Sequence, residues 1–168
     1  MPLTFEPVTT PAQIKETAKL AEKIWNEHFP KIIGQDQTDY MVEKFQSAQA
    51  IANQIGSGYE YFQIKKEGCA VGYTAIEKQN GSLFLSKLYV RKQNRGEHIA
   101  TEAIAFLKEI CAENNLSKIW LTVNRNNTNT IEIYKHLGFE IVRTQAADIG
   151  CGFVMDDYIM EIVFDNKC

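Results

Sequence analysis

Neither a cysteine pair at metal-binding spacing, nor a long apolar run, nor an excess of basic charge occurs in this sequence. Its four cysteines, Cys69, Cys111, Cys151 and Cys168, stand far apart with no Cys-x-x-Cys pair, which argues against a zinc site or a disulfide framework. They are expected as small buried or terminal thiols. No window approaches roughly eighteen uncharged apolar residues, so no membrane-crossing helix and no membrane partner is expected. The start, MPLTFEPVTTPAQ, lacks the basic run and long apolar stretch of a secretory leader, which makes a cytoplasmic location the expectation. A formal net charge of -3 excludes an overall basic, phosphate-coating nucleic-acid binder. Any anion site must therefore be local.

What is present suffices for one core: 168 residues at 45% hydrophobic fill a single domain and are too few for two comfortable ones. Residues 3–8 read as a strand, after which Thr10 and Pro11 mark a helix start. Ile14, Ala18, Ala21 and Trp25 follow at helical spacing, and the helix should end near Phe29, ahead of Pro30. A loop and a second helical region over 36–55 are expected next. Alternation then takes over in Phe62 and Ile64, in Val71, Tyr73 and Ala75, and in Leu83, Leu85, Lys87 and Tyr89, with turns at Glu67-Gly68 and at residues 79–82. Ala103, Ile104, Leu107, Ile110 and Cys111 form a helical stripe that Asn114 and Asn115 end. Ile119, Leu121 and Val123 alternate as a strand, a short helix carries Thr130, Ile133, Tyr134 and Leu137 up to Gly138, and two strands, 139–144 and 153–164, close the chain. The pattern is α/β (α+β): a mixed, mostly antiparallel sheet of six to seven strands flanked by about four helices.

Two segments carry candidate chemistry. The first is Leu88-Tyr89-Val90-Arg91-Lys92-Gln93-Asn94-Arg95-Gly96-Glu97-His98-Ile99-Ala100, which ends a strand, crosses a basic glycine-containing loop and opens the longest amphipathic helix. Such a loop gathers backbone N–H groups and the positive end of a helix dipole around one point, a cradle suited to a diphosphate. The second segment, residues 121–139, places Asn127 and Tyr134 seven residues apart and so on one side of a helix.

With these two motifs in this order, the chain resembles the GCN5-related N-acetyltransferase (GNAT) family over nearly its whole length. Arg95 and Ala100 match the ends of the family's glycine-containing signature, while His98 stands where a middle glycine is usual. The resemblance implies that the backbone of Leu88, Tyr89 and Val90 pairs with the pantetheine arm of acetyl-coenzyme A, and that Arg95, Gly96, Glu97, His98, Ile99 and Ala100 hold its diphosphate. His98 would then donate its backbone N–H from an ordinary helical φ. Asn127 would bind near the reactive end of the cosubstrate, and Tyr134 would protonate the departing thiolate, its ordinary pKa of about 10 lying near that of an alkyl thiol. No metal enters this chemistry.

The reaction expected from the resemblance is acetyl transfer to a primary amine of a small molecule, in which a base must take a proton from the incoming ammonium. Family members often use a glutamate on the strand before the first motif, but Ser86 and Lys87 stand there and no carboxylate lies between Leu83 and Val90. Glu27, His28, Asp156 and Asp157 are the candidates elsewhere. Trp25, Phe29, Tyr40, Phe45 and Tyr158 are candidates for the acceptor pocket, and the pair Asp156-Asp157 suits a cationic, polyamine-like amine. A coenzyme-A-binding sensor without turnover is the alternative, and the apolar final strand from Tyr158 to Phe164 suggests pairing in a homodimer.

Overall fold

Among residues 3–164, which the computed structural model describes, the chain forms seven strands and six α-helices. Thr10, extended at φ -107° and ψ 155°, accepts from the Gln13 N–H, and the Gln13 side chain accepts from the Thr10 N–H in return. This reciprocal cap, with Pro11 at the first helical position, starts α1 (Pro11–His28) where the sequence placed it. Pro30 does not lead into a loop. Its missing N–H suits a first helical turn, and the short α2 (Pro30–Ile33) begins there.

The single helical region expected over 36–55 is two helices, α3 (Gln35–Phe45) and α4 (Ala48–Gly56). Ser47 breaks the run by taking an extended conformation and accepting from the Ala50 N–H as the cap of α4. Gln46 is meanwhile drawn inward, where its side-chain carbonyl accepts from the buried Tyr73 hydroxyl at 2.7 Å. These insertions raise the helix count from the expected four to six.

Strand order in the sheet is β1-β2-β3-β4-β5-β7-β6. The chain divides into two compact units, Met1–Glu77 with Ser86–Ala103, and Lys78–Leu85 with Ile104–Cys168. In the first unit β1 (Leu3–Pro7) and β3 (Cys69–Lys78) both pair antiparallel with β2 (Glu60–Lys66). The β2–β3 turn places Glu67 and Gly68 at φ 53° and 81°, the two positive values that a tight hairpin needs. Ala21 and Ile24 of α1 and Ile51 of α4 pack with Tyr61, Tyr73 and Ala75, while Ile64 and Val71 pack with Ile99 and Ala103 at the start of α5 (Ile99–Glu113).

In the second unit the first residues of β4 (Ser82–Val90) pair parallel with β5 (Lys118–Asn124), from Ser82↔Lys118 to Phe84↔Trp120. β7 (Phe153–Val163) lies antiparallel between β5 and β6 (Glu140–Gly150), and α6 (Thr128–His136) follows β5. β6 runs well past the expected end near Thr144. Cys151 and Gly152, at φ 52° and 79°, make a two-residue turn that keeps the hairpin paired out to Gly150↔Phe153.

This order corrects two further expectations. β7 is an inner strand, paired with both β5 and β6 over residues 157–161, so it offers no free edge there for a second copy of the chain; the edge strand at this end of the order is β6. Among the described residues Cys111 alone is a buried thiol, its pKa pushed up to about 11 by burial, whereas Cys69 and Cys151 are exposed; Cys168 lies outside the described residues. Among the described residues no helix is long and apolar enough to cross a membrane, and no three His, Cys, Asp or Glu side chains gather as metal ligands.

Candidate active site

At the end of β4 the Arg91 N–H donates to the Val71 carbonyl at 2.8 Å, after which residues Lys92–Asn94 make one 3-10 turn. Two carboxylates pin the loop that follows. Glu27 of α1 accepts from the Lys92 N–H at 3.1 Å and from the Arg91 guanidinium at 3.4 Å, and although burial opposes it, these bonds hold its pKa below the usual value. Glu97 accepts from Lys66 at 3.1 Å and from the Asn94 amide at 3.2 Å. Glu27, a candidate for the acceptor side, is thus committed to the loop, and Arg91 is committed to Glu27. Arg95 is left exposed at the loop's tip.

Gly96 sits at φ 85° and His98 at φ 60°. The ordinary helical φ expected for His98 is therefore wrong: the residue adopts the left-handed conformation of the glycine it stands in for. The turn geometry wins over the side chain's preference at a cost of about 1 kcal/mol, tolerable because histidine is among the residues enriched there and this one is exposed. The first bond of α5 is from the Glu102 N–H to the His98 carbonyl at 3.1 Å, so the N–H groups of its first three residues, 99–101, have no backbone acceptor among the described bonds. Arg91 Nε is buried close by in the chain without a partner. A row of free donors at the positive end of a long helix, with an exposed guanidinium, fits a diphosphate.

β4 reaches this loop under a constraint that the sequence reading did not isolate. A Cβ on Gly72 of β3 would lie 2.4 Å from the Tyr89 carbonyl oxygen and 3.2 Å from Val90 Cα, so only glycine lets the main chain of residues 89–90 come so near β3. A glycine inside an alternating strand was the available signal. Nearby, Trp25 stacks on Phe29 at 4.0 Å and meets Tyr89 edge-on at 5.3 Å, while its Nε1 donates to the Tyr73 hydroxyl at 3.2 Å. His28 lies edge-on to Phe29 at 4.8 Å. Tyr40 is on α3, where Lys44 donates to its hydroxyl at 3.1 Å.

Lys87, on the strand that lacks the glutamate, is 6% exposed. Its ammonium donates to the Phe45 carbonyl, to the Tyr61 hydroxyl and, at 3.1 Å, to Gln54 Oε1, which ties β4 to the α3–α4 corner. Burial lowers its pKa to about 7. The alternation had placed Lys87 among apolar neighbours, but the acceptors that meet it come from elements far away in sequence.

In the second unit the turn after β5 carries Asn127, 6% exposed, whose N–H donates to the Asn124 carbonyl at 2.9 Å and whose own carbonyl starts α6. Tyr134 is buried on α6 with its ring edge-on to Phe139 at 5.3 Å, and burial raises its pKa above the ordinary value. Asp156 and Asp157 stand in mid-strand on β7 and therefore face opposite sides of the sheet. Asp156 is exposed and pairs with Arg125 at 3.1 Å, and the Arg125 guanidinium lies 5.1 Å from the Tyr158 ring centre. Asp157 is 3% exposed, and burial, then the Asp156 charge, raises its pKa to about 6.

A family model described as the acetyltransferase (GNAT) family matches residues 19–139, a stretch that includes the loop, Asn127 and Tyr134. The chain belongs to the GNAT acetyltransferase family. It is an acyltransferase with acetyl-coenzyme A as cosubstrate. Solved structures share its fold at low identity. PaiA N-acetyltransferase from Thermoplasma acidophilum, in complex with coenzyme A, is 15% identical with a TM-score of 0.81, covering 98% of this chain and 100% of that one. A GCN5-related N-acetyltransferase from Rhodopseudomonas palustris is 13% identical with a TM-score of 0.81, covering 98% and 97%. The ribosomal-protein-S18-alanine N-acetyltransferase from Escherichia coli is 16% identical with a TM-score of 0.73, covering 97% and 94%. At such identities the likeness concerns the fold.

Proposed function

We propose that this GNAT acetyltransferase acetylates a primary amine of a small, cationic, polyamine-like molecule, by direct attack while both substrates are bound. Acetyl-coenzyme A supplies the acyl group already activated as a thioester. The N–H groups of the loop and of the first turn of α5, residues 96–101, and the Arg95 guanidinium take its diphosphate. Leu88 and Val90 offer main-chain groups to the pantetheine arm as though it were an added strand, and Gly72 keeps that stretch of β4 in place. One of these N–H groups faces the negative charge that develops on the carbonyl oxygen. Asn127 holds the reactive end.

Tyr134 donates the proton that the departing thiolate takes up. Burial favours the neutral hydroxyl over the phenolate, so the proton is present at neutral pH.

The observation that carries this reading is the set of N–H groups of residues 99–101 at the start of α5, which have no backbone acceptor among the described bonds, inside the stretch that matches the family. Titration calorimetry with coenzyme A, followed by thiol release from acetyl-coenzyme A with a panel of amines, tests it. Binding together with release by alkyl di- and triamines is the expected result. Tight binding with no release by any amine would refute amine acetylation, and no binding would refute the loop assignment.

A further inference from the structure

The acidic pair on β7 separates into two different chemical situations. Asp156 faces outward and has Arg125 as counter-ion at 3.1 Å. Asp157 is 3% exposed, and no hydrogen-bond donor or cation among the described residues engages its carboxylate. A buried carboxylate ordinarily has partners, because leaving it bare costs free energy without return. The residues around it do not relieve the cost. Asn124 of β5 and Gln145 of β6 stand opposite Asp157 in register, and Asn124 Oδ1 is itself an acceptor, taking the Asn126 N–H at 2.9 Å. Arg143 shares the Asp157 side of β6 but is exposed, and Asp156 adds like charge from the other face. A carboxylate so placed, with no cation of its own among the described residues, is open to one from outside the chain.

The register places Asp157 beside the turn that leads into α6. Asp157 pairs with Asn124, the last residue of β5, and from Asn124 the chain passes through Asn127 directly into the helix that bears Tyr134. We propose that the Asp157 carboxylate receives the ammonium of an alkylamine acceptor and takes its proton, serving as the base that the strand before the first motif does not supply. This inference rests on the amine-acetylation reading above. In the step, one N–H bond of the ammonium breaks and an O–H bond forms on Asp157, leaving a neutral amine. That amine forms the C–N bond as the C–S bond breaks. Tyr134 gives its proton to the sulfur and recovers one from the nitrogen, and Asp157 returns its proton to solvent when product leaves, so the reaction releases one proton. A carboxylate whose pKa is raised to about 6 is ionised at neutral pH yet more basic than a solvated one, which favours the transfer.

Asp157→Asn keeps the shape and removes the charge, so its folding is expected to survive. Thiol release is followed from pH 5 to 9 with ethylamine and with 2,2,2-trifluoroethylamine, an acceptor of similar size that is already neutral at pH 7. The wild type is expected to lose kcat/KM for ethylamine below about pH 6, in a limb that the variant lacks. The variant is expected to lose about 100-fold or more with ethylamine and less than about 10-fold with the fluorinated amine, with coenzyme A affinity unchanged. An equal loss on both amines, or wild-type turnover of ethylamine, overturns the role of Asp157. A wild-type protein that releases no thiol with any amine overturns the acetylation reading itself, and the two failures are thereby told apart.

Discussion

Replacing Lys87 with methionine removes one ammonium group from the interior of the first unit while keeping most of the side-chain volume. Burial lowers the Lys87 pKa to about 7, whereas in the unfolded chain it is about 10.4. Between these values the unfolded state binds the extra proton, so this group destabilises the fold at neutral pH, and the penalty fades as pH rises toward the unfolded value. Linkage puts the penalty at about 4 kcal/mol at pH 7 and about 2 kcal/mol at pH 9. Against it stand the bonds to Phe45, Tyr61 and Gln54, together about 3 kcal/mol. Removing the lysine orphans none of these acceptors. The Tyr61 hydroxyl donates to Gln54 Oε1, and Gln54 Nε2 donates to the Phe45 carbonyl at 3.2 Å. Lys87→Met should therefore be near neutral or mildly stabilising at pH 7 and destabilising at pH 9, the difference between the two shifting by about 2 kcal/mol whatever the hydrogen bonds are worth. Urea unfolding of both proteins at pH 7, 8 and 9 reads this directly. A gap that stays constant within about 0.5 kcal/mol would show that the three acceptors hold the ammonium at its ordinary pKa, and the reasoning from burial would fail.

Three further outcomes follow from the site. Tyr134→Phe should lower kcat by about 100-fold or more while coenzyme A affinity, measured by calorimetry, stays within about twofold; unchanged turnover at saturation would remove Tyr134 from proton transfer. His98→Gly should raise stability by about 1 kcal/mol, seen as a higher Tm, because glycine occupies φ 60° freely; a lower Tm would contradict the strained histidine. Gly72→Val forces a Cβ to within 2.4 Å of the Tyr89 carbonyl oxygen, so the end of β4 must shift and coenzyme A affinity should drop by about 10-fold or more; wild-type affinity would free that stretch of main chain from a binding role.

Much of the architecture was readable because its causes are local. Thr10 and Gln13 cap α1 with their own side chains, and Glu67-Gly68 turn the β2–β3 hairpin at positive φ. The exposed loop at residues 95–98 needed only its order behind a strand and ahead of an apolar helical stripe. The errors arose where a local signal was weak or overruled from a distance. Ser47 and Gln46 break the helical run because Tyr73, from another element, draws Gln46 inward. His98 takes a glycine's conformation because the turn, not its own preference, sets φ. β6 runs long because Cys151-Gly152 makes a tight turn without one of the familiar Asn-Gly or Asp-Gly pairs.

The sequence by itself determined the alternation of strands and helices, the family and the place of the glycine-containing loop ahead of α5, since each depends on residues within a few positions of one another. Tertiary structure alone decided which charges lose their water. Lys87 and Asp157 look like ordinary polar residues in alternating strands, yet both are buried, while Glu27 crosses from α1 to accept from the Lys92 N–H. Desolvation depends on everything that packs over a group, and those atoms come from parts of the chain that no local pattern connects.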